Sequence, residues 1–166
     1  MAAANPVPST QKITTFLWFD NNAEEAANFY VSVFKNSRII ETTRFTDLGP
    51  GANGSVMTVE FDLDGQRFTA LNGGPTFKFT EAISLMVRCK SQEEVDYYWD
   101  RLTADGGQES QCGWLKDKFG LSWQITPEVL MTLLNDSDRT KTQRAMQAMM
   151  TMRKLDIKTI EEAAAG

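Results

Sequence analysis

The pattern of apolar and polar positions along the chain predicts the same structural unit twice. β-Branched and aromatic residues fill residues 13–19, and apolar residues occupy alternate positions of residues 82–89. Each run is followed by a stretch, residues 23–34 and 92–103, in which apolar residues recur at spacings of three and four. Such runs predict strands, and such spacings predict helices with one apolar face. The first strand is predicted to be buried on both sides, and each helix to lie on a sheet.

Three shorter segments of strand character follow each helix. After the first helix they are residues 38–45, 57–63 and 67–72, with Asp64-Gly65 as a hairpin turn. After the second helix they are approximately residues 109–110, 113–116 and 121–126. The pattern predicts an α+β protein with two βαβββ modules, residues 12–75 and 81–126, inside one domain at residues 12–126.

The ends of the elements carry their own signals. Asn22 with Glu25, and Ser91 with Glu94, have the spacing of a capping box, in which the first side chain accepts a hydrogen bond from a backbone N–H at the start of the helix. Residues 1–11 lack apolar periodicity and are predicted to be a flexible N-terminal arm. Residues 127–166 are predicted to be a C-terminal helical extension with a methionine-rich face.

Composition and charge exclude several classes of partner. The formal net charge of −5 argues against nucleic acid and anionic membrane surfaces, since both are bound by clustered Lys and Arg. No apolar run approaches the roughly 20 residues that cross a bilayer, and residues 1–10 do not resemble a signal peptide. Cys89 and Cys112 are expected to be free thiols, and a cytoplasmic location is expected.

Three motifs point to one family. Phe16-Leu17-Trp18-Phe19 precedes the first helix, Ala70-Leu71-Asn72-Gly73-Gly74-Pro75 ends the first module, and residues 113–124 read GWLKDKFGLSWQ. With the paired modules, these motifs resemble the PhnB-like branch of the vicinal oxygen chelate superfamily, which includes glyoxalases, dioxygenases and bleomycin resistance proteins. The resemblance implies the glyoxalase-like fold, a curved mixed sheet made by both modules, and a homodimer. This branch is often labelled demethylubiquinone methyltransferase, but the chain has no glycine-rich loop after its first strand for S-adenosylmethionine.

The resemblance also implies where the superfamily's metal would be bound. The ligand positions correspond to Thr15, Ala70 or Asn72, Ala82 and Gln124. None of these residues offers an imidazole or a carboxylate, and the chain contains no histidine. The expectation is therefore a degenerate site with no metal and no other cofactor.

Strand alternation predicts which residues line the concave face of the sheet. The predicted ligand-binding residues are Thr15, Leu17, Phe19, Asn72, Ser84, Arg88, Trp114 and Gln124. Glu60 is the carboxylate predicted on a central strand of that face, so it is the candidate general base. The alternative for Glu60 is a structural role, either as an exposed strand residue or in an ion pair with Arg88.

Three functions are compatible with these residues. The first is a protein that binds a small organic molecule in the concave cavity, for sequestration or resistance. The second is a metal-independent isomerase or lyase in which Glu60 acts as base and Asn72 or Gln124 stabilises negative charge. The third is a structural protein whose cavity is closed. The absence of a paired acid and base favours binding, and the sequence does not identify the ligand.

Overall fold

A computed structural model describes residues 11–166, so most of the predicted N-terminal arm lies outside the described residues. The chain divides into two compact units, the first ending at Lys78 and the second being Phe79–Gly166. Each unit carries a four-stranded mixed sheet and follows the order strand, helix, three strands. The predicted α+β class and the two βαβββ modules are confirmed.

The first unit packs one helix on one face of its sheet. Its elements are β1 (Thr15–Phe19), α1 (Ala23–Val33), β2 (Arg38–Arg44), β3 (Val56–Leu63) and β4 (Gln66–Asn72). The strands lie in the order β1-β4-β3-β2, with β1 parallel to β4. Tyr30 of α1 stacks on Phe61 of β3, with 6.2 Å between the ring centroids, so Phe61 marks the face that the helix covers.

Strand β1 is buried on one side only. Leu17 and Phe19 are 4% and 3% exposed, whereas Phe16 between them is 61% exposed. The prediction that this strand is buried on both sides is therefore wrong. An unbroken apolar run is compatible with either arrangement, and α1 covers only one face.

The two helices that lie on the sheets begin in different ways. Ser91 Oγ accepts a hydrogen bond from the backbone N–H of Glu94, as its spacing predicts. Asn22 makes no side-chain cap, so that prediction is wrong. The free N–H at the start of α1, that of Ala23, instead donates to Asn72 Oδ1 at 2.8 Å. A residue of β4 therefore performs the capping role of Asn22.

The second unit repeats the arrangement and adds three helices. It contains β5 (Ser84–Cys89), α2 (Gln92–Thr103), a 3-10 turn (Ala104–Gly106), β6 (Gln108–Glu109), β7 (Trp114–Lys116), β8 (Ser122–Pro127), α3 (Glu128–Leu134), α4 (Arg139–Met150) and α5 (Ile157–Ala165). The strand order is β5-β8-β7-β6. Val95, Trp99 and Leu102 of α2 are buried, as are Trp123 and Ile125 of β8.

The C-terminal helices have a core of their own. Its buried members are Leu130, Leu133, Ala145, Leu155, Ile160 and Ala164. Met149 and Met152 pack against this core, while Met146 and Met150 remain 43% and 63% exposed. In the part of the chain that the structure describes, no helix has the length and apolar character needed to span a membrane.

Candidate functional site

Each sheet has one face on its helix and one face without a helix. We call the helix-free faces the first open face, in the first unit, and the second open face, in the second. In the second unit, Leu85, Trp123 and Leu115 are cross-strand neighbours on the helix face. Because side chains alternate along strands, the residues between them belong to the second open face.

The second open face presents two rows of side chains across β5, β8 and β7. Met86, Gln124 and Trp114 are direct cross-strand neighbours and form the first row. Ser84, Ser122 and Lys116 form the second row. Arg88 lies beside Thr126 at the end of β5. Four predicted ligand-binding residues therefore share this face: Ser84, Arg88, Trp114 and Gln124.

The first row combines apolar surface with an amide. Met86 is 44% exposed, and Trp114 is half-buried. Gln124 Nε2 donates to Ser84 Oγ at 2.8 Å. Among residues 11–166 the Gln124 and Ser84 side chains have no other hydrogen-bond partner. The Gln124 carbonyl oxygen and the Ser84 hydroxyl proton are therefore available to a ligand.

A cavity of about 340 Å³ adjoins the second row. Its lining consists of Glu81, Gln108, Glu109, Ser110, Trp114, Leu115, Lys116 and Ser122. Lys116 forms an ion pair with Glu81, which precedes β5. The Lys116 hydrogen bond holds the pKa of the Glu81 carboxyl below its usual range. The volume lies within the range of small-molecule sites.

The first unit distributes the other predicted residues over both of its faces. Thr15, Leu17 and Phe19 of β1 lie beside Phe68, Ala70 and Asn72 of β4. Phe68 is opposite Phe61, on the helix face. The prediction that Thr15, Leu17, Phe19 and Asn72 share a face with Glu60 is therefore wrong. After Thr15, the four residues of β1 are all apolar, so residue type does not mark the orientation of this strand.

Glu60 lies on the first open face, and its ion-pair partner is Arg67. The partner considered from the sequence was Arg88. Glu60 is opposite Thr69, and both Glu60 and Asp62 accept hydrogen bonds from Arg67. These hydrogen bonds, the one that Arg67 donates to Asp62 more than the one it donates to Glu60, raise the pKa of Arg67. The partner considered from the sequence, Arg88, belongs to the other unit. A carboxylate held by a guanidinium is typical of a structural ion pair, and Glu60 is 32% exposed.

Both ends of the Asn72 side-chain amide are hydrogen-bonded within the fold. Its Oδ1 accepts from Ala23 N at 2.8 Å, and its Nδ2 donates to Val56 O at 3.0 Å. The following turn is equally tight, because Trp18 Nε1 donates to Gly74 O at 2.9 Å. A Cβ on Gly73 would approach the Trp18 ring to 2.3 Å. The Asn72-Gly73-Gly74 segment thus requires these residue types for its own structure.

This turn also borders a cavity of the first unit. The cavity has a volume of about 510 Å³, and its lining includes Asp20, Glu24, Phe45, Asn72 and Gly73. Its lining contains the carboxylates Asp20 and Glu24 and the amide of Asn21, while the amide of Asn72 is already hydrogen-bonded within the fold. This edge is therefore acidic and polar, whereas the second open face combines an amide with the apolar side chains of Met86 and Trp114.

Cys89 provides no nucleophile. Both cysteines are free thiols. Cys89 is buried on β5, and burial raises the pKa of its thiol to about 12. A thiol of that pKa is protonated at neutral pH, so Cys89 is a core residue.

The residues at the positions implied for a metal lack the donors of the superfamily's site. Ala82 precedes β5 and is exposed, and Ala70 is buried under α1. The Asn72 side chain is bonded to Ala23 and Val56, and Gln124 is bonded to Ser84. Among residues 11–166 no three His, Cys, Asp or Glu side chains are grouped closely enough to hold a metal ion. The donor set at these positions does not fit the superfamily's metal.

Sequence reasoning omitted Lys116 from the second open face, although Lys116 alternates on β7 with the predicted site residue Trp114. Counting alternation from Trp114 would have identified it. Met86 was expected on the concave face but was not named as a ligand contact. Arg67 was also missed, because its two acidic partners are seven and five residues earlier in the chain, across a hairpin.

Known proteins resemble this chain in sequence and in structure. The family model described as 3-demethylubiquinone-9 3-methyltransferase matches residues 11–126. The PhnB protein from Bacillus cereus is 42% identical, with a TM-score of 0.64 over 70% of this chain and 99% of that chain. Protein PA1353 from Pseudomonas aeruginosa is 19% identical, with a TM-score of 0.60 over 72% of this chain and 98% of that chain. No curated protein has a detectable match to this chain.

Proposed function

Because the chain belongs to the PhnB-like family described as 3-demethylubiquinone-9 3-methyltransferase, within the vicinal oxygen chelate superfamily, we propose that it binds a small organic molecule on the second open face, without a metal. The observation that supports this proposal most is the row of Met86, Gln124 and Trp114. It combines apolar surface with an amide whose oxygen is free. Small-molecule sites typically have such a composition.

Methyl transfer is not part of the proposal, despite the family's description. A site for S-adenosylmethionine in a doubly wound sheet needs a glycine-rich turn after its first strand. Here β1 is followed by Asp20-Asn21-Asn22, and the strands form two four-stranded mixed sheets. The sequestration of a small molecule requires only the contacts that the second open face offers.

A metal-free site predicts a clear analytical result. The purified protein should contain less than about 0.1 equivalent of metal per chain after incubation with Ni²⁺, Mn²⁺, Zn²⁺ or Fe²⁺ followed by desalting. Its melting temperature should not change with these ions. Elemental analysis and differential scanning fluorimetry make the two measurements. One equivalent of bound metal per chain would refute the proposed site and restore metal chemistry of the superfamily type.

Ligand binding should depend on Met86. A screen of small organic compounds should yield ligands that raise the melting temperature, and Met86→Glu should weaken their binding about ten-fold or more, because it places a charge in the first row. Met150→Glu is the matched control, since Met150 is an exposed methionine of the same unit outside the site. Equal binding by both variants would locate the ligand elsewhere.

The same screen separates binding from catalysis. If compounds are turned over and Glu60→Gln abolishes the turnover, the protein is the metal-independent isomerase or lyase and Glu60 is its base. The ion pair between Glu60 and Arg67 favours the binding function, because it gives Glu60 a structural role.

The proposal includes a homodimer in the cytoplasm. Each sheet ends in an edge strand, β1 or β5, and exposed apolar residues lie on or beside these strands: Phe16 at 61% and Ile83 at 71%. Exposed edges with apolar side chains favour pairing with a second copy. Two free thiols favour a reducing compartment. Sedimentation velocity distinguishes the dimer from the monomer.

A further inference from the structure

The second row of the second open face contains two hydrogen-bond donors that face the same cavity. Lys116 and Ser122 are directly opposite each other in the antiparallel pair of β7 and β8. Such neighbours have Cβ atoms about 5 Å apart. Both line the cavity of about 340 Å³ described above.

The buried hydroxyl group of Ser122 has no hydrogen-bond partner in the described part of the chain. The residue is 1% exposed. Buried hydroxyl groups nearly always have a partner. The absence of one at the wall of a cavity, beside a positive charge, indicates that a ligand atom supplies the missing acceptor.

Lys116 is held by a partner that a ligand can replace. The Glu81 side chain is 64% exposed and belongs to the turn before β5, and the Lys116 side chain is 34% exposed. Ion pairs between exposed side chains contribute little to stability. A second carboxylate entering the cavity can therefore take the place of Glu81 at small cost.

The carboxylate of Glu109, the other charged group of the cavity lining, already has partners within the fold. Its Oε1 accepts a hydrogen bond from Trp99 Nε1 at 2.9 Å, and its Oε2 is 3.7 Å from Arg153. Trp114, the β7 member of the first row, contributes apolar surface to the lining. The cavity thus offers an ammonium, a free hydroxyl and an indole.

We infer that the ligand of the second open face carries a carboxylate, which replaces Glu81 on Lys116 and accepts the hydrogen bond that Ser122 lacks. Its apolar or aromatic body lies against Trp114. This inference rests on the proposed function and names the chemical class of the ligand.

The test compares carboxylates with their uncharged counterparts. Benzoate, phenylacetate and indole-3-acetate, and the primary amide of each, are titrated into the full chain by calorimetry. At least one carboxylate should bind about ten-fold tighter than its amide, because hydrogen bonds to a charged acceptor are the stronger ones. Ser122→Ala and Lys116→Met should each remove most of this preference.

Two variants separate a ligand contact from a structural role. Glu81→Gln should tighten carboxylate binding several-fold, because it removes the internal competitor, whereas Glu162→Gln in the exposed pair with Lys158 should not change it. Ser122→Ala should leave the melting temperature of the free protein unchanged or raise it, since it removes an unpaired buried hydroxyl. A lower melting temperature without a change in binding would assign Ser122 to the fold and overturn the inference.

The failure of the inference differs from the failure of the proposed function. If no carboxylate in the panel binds tighter than its amide, the inference is overturned. The proposed function then stands if Met86→Glu still abolishes binding of compounds from the wider screen. If that screen yields no compound whose binding depends on Met86, both are overturned.

Discussion

Asp117→Ala is expected to lower the free energy of unfolding by about 3–5 kcal/mol, the largest effect of any single substitution proposed for this chain. Asp117 is 3% exposed, and its carboxylate accepts hydrogen bonds from two backbone groups and one indole. They come from the backbone N–H groups of Phe119 and Leu121, at 2.9 and 3.1 Å, and from Trp123 Nε1, at 2.8 Å. Removing the acceptor leaves these donors without this partner in a largely buried place. Urea denaturation followed by far-UV circular dichroism measures the change.

Two controls make this result specific. Asp117→Asn keeps an oxygen for the two backbone groups but loses an acceptor for Trp123, so about half of the effect is expected. Asp100→Ala, at a side chain that is 71% exposed, should change stability by less than about 0.5 kcal/mol. If Asp117→Ala costs as little as Asp100→Ala, the hydrogen bonds of this turn do not hold β8 in place. The residue types of the KDKFGLSWQ motif would then have a cause other than the structure of this turn.

The architecture could be predicted because each element carries its own periodicity. The stripe that contains Tyr30 and the alternation of residues 57–63 are local signals, and both modules were found from them. Ser84, Arg88 and Gln124 were predicted on one face for the same reason. Polar residues stand at alternate positions of β8 and at both ends of the corresponding row of β5, so this face could be identified from residue type.

The first unit was harder because β1 offers no such contrast. Phe16, Leu17, Trp18 and Phe19 are all apolar, and only the register with β4 decides which of them point to α1. That register places Leu17 and Phe19 in the core and leaves Phe16 exposed. A shift of one residue would exchange the two sets, so the error arises from a step that periodicity cannot resolve.

Long-range side-chain partners account for the remaining errors. The cap of α1 comes from Asn72, 49 residues beyond Ala23. Sequence spacing favoured Asn22 because spacing along the chain reveals only caps made by residues next to the helix. Similarly, Glu60 pairs with Arg67 across a hairpin, whereas the charge considered from the sequence was Arg88. In both cases the partner depends on tertiary structure that a residue pattern does not contain.

The second large effect on stability is expected at Asn72, whose hydrogen-bond partners are also distant in sequence. Asn72→Ala should cost about 2–3 kcal/mol of unfolding free energy, because it removes the cap of α1 and leaves Ala23 N and Val56 O without partners. Asn72→Asp keeps the acceptor for Ala23 and loses the donor to Val56, so a smaller loss is expected. Asn21→Ala, at an exposed neighbour on the same cavity, is the matched control and should change stability by less than about 0.5 kcal/mol.

Chemical denaturation combined with ligand titration distinguishes the two roles considered for Asn72. If it is structural, Asn72→Ala lowers stability, while ligands of the second open face retain their affinity at temperatures where the variant is folded. Unchanged stability with lost binding would instead make Asn72 a ligand contact, as its sequence position first suggested. The hydrogen bonds from Ala23 and to Val56 favour the structural role, since they use both ends of its amide. A residue that helps to identify the family then maintains its fold and is not part of its chemistry.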